Sequence, residues 1–406
     1  MTRHTAPATP AAPIPAASTP TAPVSTPATP APAPGPDPRA GIRLLDTARS
    51  IPAAPWDALV GSADYYLSSG WLRVLEETAG ATMGYLLAGP PDQPAGALPT
   101  ALALPSAPWL SGRPDTLLER GVREQQPGAA ELRAALPEDL TGTLLPGLVC
   151  GGRHLGRTRV LTDEGPDAAA VTDELVAAAE ALAGERGARS TSFLYVDERD
   201  QELRRVLAAR GYACFRSGRY CWLPLPAGGF DGYLAGFSPR HRRSILGERR
   251  RLGAAGVEVA IEPLSAGVIT RMAELEAELL VKYGLAWTPE QSAAIFTRVL
   301  AEVGPAAQVS LARRDGAVLG FALLLRHRDS WFAHRAGFDY AAQGRLPVYF
   351  ETLFYRPIEV AAGLGITAVH YGTGTSQAKL ARGCVEAEQF AYLRTAAGPA
   401  ATGPVG

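Results

Sequence analysis

The hydrophobic and polar positions of the chain follow two periods from Ile42 onward. Apolar residues that recur every three or four positions predict amphipathic helices, and Ser68 or Ser69 is placed to cap the first of these. We predict helices at 65–80, 167–186, 201–210, 230–256, 265–283, 289–303 and 347–362. Shorter apolar runs predict strands at 96–104, 191–196, 220–225, 257–261, 308–313, 317–327, 330–338 and 366–371. This alternation of helices and strands predicts an α/β fold.

Composition divides the chain into globular and non-globular parts. Residues 1–38 are almost entirely Ala, Pro, Thr and Ser, which offer too few large apolar side chains to offset the entropy of ordering, so we predict a disordered arm. The 406 residues also exceed what one core usually organises. We therefore predict two domains, at 39–226 and 227–396, followed by a flexible tail at 397–406.

Charge and cysteine content argue against several classes of protein. The formal net charge is −1 and 47% of the residues are hydrophobic, so the whole-chain charge indicates neither nucleic acid nor an acidic membrane as a partner. The four cysteines lack the spacing of metal ligands or of a disulfide framework. No apolar run is long enough to span a membrane, and the amino terminus lacks the apolar stretch of a secretion signal. We expect a cytoplasmic protein without a metal or a tightly bound cofactor.

The strand predicted at 366–371 runs into a segment of glycines, hydroxyls and a lysine. Such a segment suits a phosphate, a carboxylate or the oxyanion of acyl transfer. The candidate binding and catalytic residues in it are Gly372, Thr373, Gly374, Thr375, Ser376 and Lys379. Because the chain has only one other lysine, Lys282, Lys379 marks a position where a compact ammonium is needed, unless it was retained by chance. The structural alternative is a turn that needs glycine at positive φ and Ser376 as a helix cap.

A basic run at 237–257 supplies a second group of candidates. At helical spacing its arginines would form a positive ridge suited to phosphates, such as those of a tRNA acceptor stem, although a solvated helix face is the alternative. The arginines chosen are Arg240, Arg242, Arg243 and Arg249. Acyl transfer to an amine also needs a base, and Glu351 and Tyr355, one turn apart on the helix predicted at 347–362, are candidates.

Two segments carry a resemblance to a known family. The first reads VYFETLFYRPIEVAAGLGITAVHYGTGTSQAKLARG at 348–383, and the second reads FSPRHRRSILGERRRLGAAGV at 237–257. With the order of elements, they resemble the GNAT acyltransferase superfamily and, within it, the FemAB-like branch, also known as a peptidoglycan-biosynthesis or BioF2-like acetyltransferase domain. The resemblance implies tandem GNAT-like domains, each with a mixed, mostly antiparallel sheet flanked by helices. It also implies Lys379 as oxyanion stabiliser or substrate clamp, assisted by Arg382.

The resemblance further implies an N-acyltransferase that moves an acyl or aminoacyl group onto an amine of a small molecule, a peptide or a cell-wall precursor by direct attack. The implied donor is aminoacyl-tRNA or acyl-CoA. CoA-dependent members bind the pyrophosphate on a loop with two glycines, whereas the equivalent segment at 341–346 has one, which favours aminoacyl-tRNA and thus tRNA as a partner. The alternatives are a conventional acyl-CoA N-acyltransferase and a catalytically silent module that binds a peptide, a nucleotide or RNA. The acceptor, a role in peptidoglycan or secondary metabolism, and the oligomeric state stay open.

Overall fold

The structure is a computed structural model that describes residues 41–396, without residues 63, 108, 153–155, 164 and 375 and without the side chain of Ser376. The predicted arm at 1–38 and the predicted tail at 397–406 therefore lie outside the described residues.

Within the described residues, thirteen strands form one sheet. In chain order they are β1 Ile42–Leu45, β2 Thr82–Ala88, β3 Gly96–Ala103, β4 Gly147–Cys150, β5 Leu161–Thr162, β6 Ser190–Asp197, β7 Ala213–Pro224, β8 Glu258–Pro263, β9 Ala307–Arg314, β10 Ala317–His327, β11 Ser330–Phe338, β12 Ala368–Gly372 and β13 Val385–Thr395. Their order across the sheet is β1-β2-β3-β4-β6-β13-β7-β12-β11-β10-β9-β8, and β5 pairs with β3. The β4/β6 and β11/β12 pairs are parallel, because helical crossovers join their strands. The other named pairs are antiparallel.

Helices flank the sheet on both faces. In chain order they are α1 Ala53–Val60, α2 Ser69–Thr78, α3 Pro114–Arg123, α4 Ala129–Ala134, α5 Leu140–Leu144, α6 Ala168–Glu185, α7 Gln201–Ala209, α8 Gly229–Ala235, α9 Pro239–Ala254, α10 Ala266–Lys282, α11 Pro289–Val303, α12 Tyr340–Gln343, α13 Val348–Phe350, α14 Arg356–Ala361 and α15 Ser376–Leu380. A π-helical turn, Glu351–Tyr355, joins α13 to α14. The mixed α/β arrangement with a mostly antiparallel sheet confirms the predicted fold class.

The helix predicted at 230–256 is two helices, α8 and α9. Ser238 begins α9, since its side chain accepts a hydrogen bond from the backbone N–H of His241 and Pro239 occupies the first turn. The helix predicted at 65–80 is shorter, and Ser68 caps α2 in the same way. Local capping chemistry thus fixes where these helices begin.

The sheet crosses the boundary predicted at residues 226 and 227. The carboxyl-terminal strand β13 lies between β6 and β7 of the first half, and β7 pairs on its other side with β12 of the second half. The two halves therefore share a hydrogen-bonded ladder, and the predicted division into two domains stays a prediction.

Two cores of the second half lie on opposite faces of the sheet. Trp331 packs with α9 and α14, whereas the next residue of β11, Phe332, packs with α2, α10 and α11, as alternation along a strand requires. β11 and β12 pair only through Ser330–Phe332 and Ala368–His370, and they separate beyond these residues. The glycine-rich segment that continues from β12 therefore begins where β12 no longer pairs with β11.

Candidate functional site

The strand-end turn, Gly372–Gly374, begins at the last residue of β12. Gly372 has φ 62° and Gly374 has φ 100°, conformations that glycine adopts without the strain a Cβ would impose. The backbone therefore needs these glycines whether or not the turn binds a ligand. Thr375 and the side chain of Ser376 lie outside the described residues, so their predicted roles rest on the sequence alone.

Lys379 lies on α15, and its ammonium points back at the strand-end turn. Nζ donates to the carbonyl oxygens of Tyr371 at 2.9 Å, Gly372 at 3.2 Å and Thr373 at 2.8 Å. The side chain is buried, and this burial lowers the pKa of Lys379. The ammonium thus fixes the turn and brings positive charge to the end of β12, while its role at an oxyanion stays a prediction.

Arg382 and Tyr355 meet at one carboxylate, that of Glu248 on α9. Nη2 of Arg382 donates to both oxygens of Glu248 at 3.2 Å, and its guanidinium lies 3.8 Å from the ring centroid of Phe350. The Tyr355 hydroxyl donates to the same carboxylate at 2.5 Å, and burial raises the pKa of the phenol. Two residues chosen for different reasons therefore belong to one buried cluster. Their shared partner on α9, Glu248, is not predicted from the sequence.

Arg249 is held by two carboxylates. Its Nε lies 3.1 Å from both oxygens of Glu351, and its Nη1 and Nη2 donate to Glu359 at 2.9 and 3.0 Å. Glu351 belongs to the π-helical turn, a local geometry that is frequent at functional sites, and burial raises its pKa despite the nearby guanidinium. Glu351 and Tyr355 both contact α9, and their role as a general base stays a prediction.

The other arginines chosen on α9 lie in its first turns, six to nine residues before Arg249. Arg240 and Arg243 are exposed and Arg242 is half-buried. Among the described residues none of these three forms an ion pair, in contrast to Arg249. We call them the outer arginines. α9 therefore has an inner face, with Glu248 and Arg249, that joins it to the π-helical turn, whereas its first turns carry unneutralised positive charge.

The strand-end turn opens onto a polar cleft of about 620 Å³. The cleft is also lined by α3 and the middle of β7, whose contributions include Arg120, Arg216 and Arg219. Arg216 pairs with Glu388 at 2.6 Å, and Arg219 pairs with Glu386 at 2.6 Å. These arginines are not predicted from the sequence, because no local spacing marks them. Only the pairing of β7 with β12 and β13 brings them to the turn.

The predicted residues thus form three groups on neighbouring elements: the turn with Lys379, the inner face of α9 with its partners, and the outer arginines. In the described part of the chain, no helix is long and apolar enough to cross a bilayer. The same part contains no cluster of three or more His, Cys, Asp or Glu side chains suited to a metal ion.

The chain is similar to a known family and to several solved structures. A family model named FemAB-like, described as peptidoglycan biosynthesis/recognition, matches residues 155–398. The crystal structure of FemX has a TM-score of 0.57 at 13% identity, covering 86% of this chain and 96% of FemX. A conserved protein of unknown function from Bacteroides thetaiotaomicron VPI-5482 has a TM-score of 0.51 at 13% identity, covering 87% and 100% of the two chains. No protein of curated function matches the sequence significantly.

The family follows from the family model, and the fold from the solved structures. Because the family model spans more than half of the chain, the chain belongs to the FemAB-like family, which confirms the resemblance drawn from its sequence. The structural likenesses, at 13% identity, establish the fold alone. The reaction, its donor and its acceptor are therefore argued from the site.

Proposed function

We propose that this protein is a cytoplasmic N-acyltransferase that moves an aminoacyl or acyl group onto an amine of a peptide, a cell-wall precursor or a small molecule. The observation that carries the proposal is the Lys379 ammonium, which is buried and anchored to the strand-end turn at the mouth of the polar cleft. A fixed positive charge at such a place suits the stabilisation of a developing oxyanion. The family's description supports a cell-wall precursor as the acceptor.

The proposed reaction joins the two substrates directly. The acceptor amine attacks the ester or thioester carbonyl of the donor, and a tetrahedral oxyanion forms near Lys379. Collapse of this intermediate forms the amide and breaks the bond to the leaving oxygen or sulfur, which takes up the proton that the amine loses. Positioning of the two substrates supplies most of the rate in such a reaction. Glu351 and Tyr355 are candidates for the base, and each would have to leave its contact with α9 to reach the amine.

The four cysteines support direct attack over a covalent thioester. Each is a free thiol whose pKa is raised, with burial as the largest cause, and for Cys384 the pKa reaches about 12. A thiol that stays protonated is a poor nucleophile at neutral pH.

Two features favour aminoacyl-tRNA as the donor. The outer arginines offer charge that no carboxylate of the described residues neutralises, which suits a phosphate backbone. In addition, Asp339 caps α12 by accepting from the backbone N–H of Ala342 at 2.7 Å. Arg271 balances the charge of this carboxylate at 2.8 Å, but the cap occupies the Ala342 N–H at the start of the segment at 341–346, where CoA-dependent relatives would hold the pyrophosphate, and so competes with a phosphate for that donor.

Filter binding of the purified protein to a pool of charged tRNA, with acetyl-CoA and hexanoyl-CoA as competitors, tests the donor. We expect retention of charged tRNA that falls steeply with salt, and a variant with Arg240, Arg242 and Arg243 changed to Gln should lose most of it. A control with three exposed arginines elsewhere in the chain changed to Gln removes the same net charge. The control residues are Arg43, Arg123 and Arg205. Equal losses in both variants would contradict a specific tRNA surface, and competition by a CoA thioester would assign a conventional acyltransferase.

The second candidate is a silent module that binds RNA or a peptide without turnover. The inner face of α9 favours this alternative, because Glu351 and Tyr355 are engaged in structural contacts there. The two functions differ in product: only the enzyme forms a new amide when donor and acceptor are both present.

A further inference from the structure

A second cleft, of about 510 Å³, lies on the sheet face that carries α10 and α11. It is bounded by the end of α10, the loop between α10 and α11, β11, and residues 109–110 of the first half. We call it the aromatic cleft. Its apolar wall includes Trp109, Leu110, Leu279, Leu280, Leu285 and Trp287.

A β-bulge in β11 directs two consecutive side chains at this cleft. Leu323 of β10 pairs with Arg335 and Leu324 pairs with Ala333, so the register skips His334. Neighbouring residues of a regular strand point to opposite faces, whereas here both His334 and Arg335 line the cleft. The bulge therefore places a polar end on an otherwise apolar cleft.

A buried ion pair neutralises that polar end. Nη1 of Arg335 lies 2.6 Å from Oε1 of Glu276, and the two side chains are 10% and 3% exposed. Oε2 of Glu276 accepts from the Ser292 hydroxyl, which in turn accepts from the indole N–H of Trp287 at 2.8 Å. Nη2 of Arg335 has no hydrogen bond to the residues that the structure describes, so its two N–H groups remain for a carbonyl oxygen.

Two indoles from different halves of the chain form the wall beside this ion pair. The ring centroids of Trp109 and Trp287 are 5.1 Å apart, and the Arg335 guanidinium lies 5.4 and 6.0 Å from them. Aromatic walls favour another ring or a branched aliphatic group, because both add apolar contact and a ring also adds favourable edge or offset geometry. A charged side chain would be desolvated in the cleft without a counter-ion, because Arg335 and Glu276 already pair with each other.

We propose that the aromatic cleft binds a bulky uncharged side chain, aromatic or branched aliphatic, that the substrate carries next to an amide or ester carbonyl. Arg335 donates from Nη2 to that carbonyl oxygen. The volume lies within the range of small-molecule sites. This inference rests on the proposed function only in naming the side chain as part of the group transferred or accepted.

Calorimetric titration with N-acetyl-L-phenylalaninamide and N-acetyl-L-alaninamide tests the proposal without requiring turnover. We expect the phenylalanine probe to bind about 10- to 100-fold more tightly, from the extra apolar area that it buries. Ala286→Trp, an exposed position of the cleft's own loop, should fill the cleft and reduce the preference to less than about 3-fold. Tyr283→Ala is the matched control, because Tyr283 belongs to the same loop region, is 71% exposed and does not line the cleft.

Equal affinity for the two probes, no binding of either, or a preference that survives Ala286→Trp would overturn the proposal. A preference that disappears in Ala286→Trp and persists in Tyr283→Ala would establish it. The two hypotheses fail separately in this design. Probe binding without transfer from any donor refutes only the enzyme, whereas transfer without a side-chain preference refutes only the aromatic cleft.

Discussion

Replacement of Lys379 by methionine tests the contact that defines the candidate site. The change removes the donor of three hydrogen bonds to the carbonyls of Tyr371, Gly372 and Thr373. Loss of a charged donor costs about 1.5–3 kcal/mol at the buried Tyr371 carbonyl and about 0.5–1 kcal/mol at each of the other two, which partly reach water. Methionine returns about 1–2 kcal/mol, because it avoids desolvation of the ammonium and keeps the apolar contacts. We expect a net loss of about 2 kcal/mol in the free energy of unfolding.

Urea unfolding followed by circular dichroism measures this loss as a lower midpoint at an unchanged slope. Lys379→Arg should also be destabilised, because three carbonyls converge on one nitrogen and a planar guanidinium presents its donors on a fork instead. Lys282→Met is the control: Lys282 makes only a cation–π contact, 3.8 Å from the Tyr340 ring centroid, and its loss should cost less than about 1 kcal/mol. A Lys379→Arg variant as stable as the wild type would refute the reasoning.

Three further predictions concern stability, and urea unfolding measures each. Burial lowers the pKa of His370 from 6.5 to about 3, so between these pH values the unfolded state binds more protons and the stability decreases as the pH is lowered. From pH 7 to pH 5 the wild type should lose about 2 kcal/mol more than His370→Phe, and equal losses would contradict this. Gly337→Ala would place a Cβ 2.6 Å from the α10 backbone and should cost about 1–3 kcal/mol. Gly253→Ala, with open space around it in α9, should gain about 0.5–1 kcal/mol. A Gly337→Ala variant as stable as the wild type would show that α10 moves to make room for the Cβ. Glu351→Ala leaves Arg249 paired with Glu359, so the free energy of unfolding should fall by about 1–2 kcal/mol, less than the roughly 3–5 kcal/mol expected for a buried charge without a partner. A larger loss would mean that Glu359 does not compensate.

Local chemistry made part of the fold predictable. The Asp315–Gly316 pair predicts the hairpin between β9 and β10, and the structure gives both residues a positive φ, as that turn requires. The caps of α2 and α9 likewise lie where Ser68 and Ser238 occur. In each case the residues that decide the structure are adjacent in sequence.

The remaining features depend on contacts between distant residues. The strand β13 is not predicted from the local sequence, and its place between β6 and β7 depends on pairing across about half of the chain. The β-bulge at His334 is equally invisible, since it depends on the register between two strands. Such pairings set which face each side chain takes, and local periodicity does not contain that information.

The candidate site also has a part that follows from the local sequence and a part that depends on distant contacts. The strand-end turn and Lys379 lie within eight positions of each other, so their proximity follows from the local sequence. Arg242 and Arg249 are one heptad apart and were assigned to one ridge, yet Arg249 alone pairs with Glu351 and Glu359. The two arginines have nearly the same angle around the helix but lie about 10 Å apart along its axis, so the position along α9 decides which of them meets a carboxylate.

Transfer from a charged tRNA pool to the amines of a cell extract tests the central claim most directly. Mass spectrometry of the low-molecular-mass fraction would follow the product. Wild-type protein and Lys379→Met are assayed in parallel, without urea and at a temperature where both are folded. The account predicts an amide-linked product that requires the charged donor and is lost or strongly reduced with Lys379→Met. Absence of any amide product with charged tRNA and with acyl-CoA, or full activity of Lys379→Met, would contradict it.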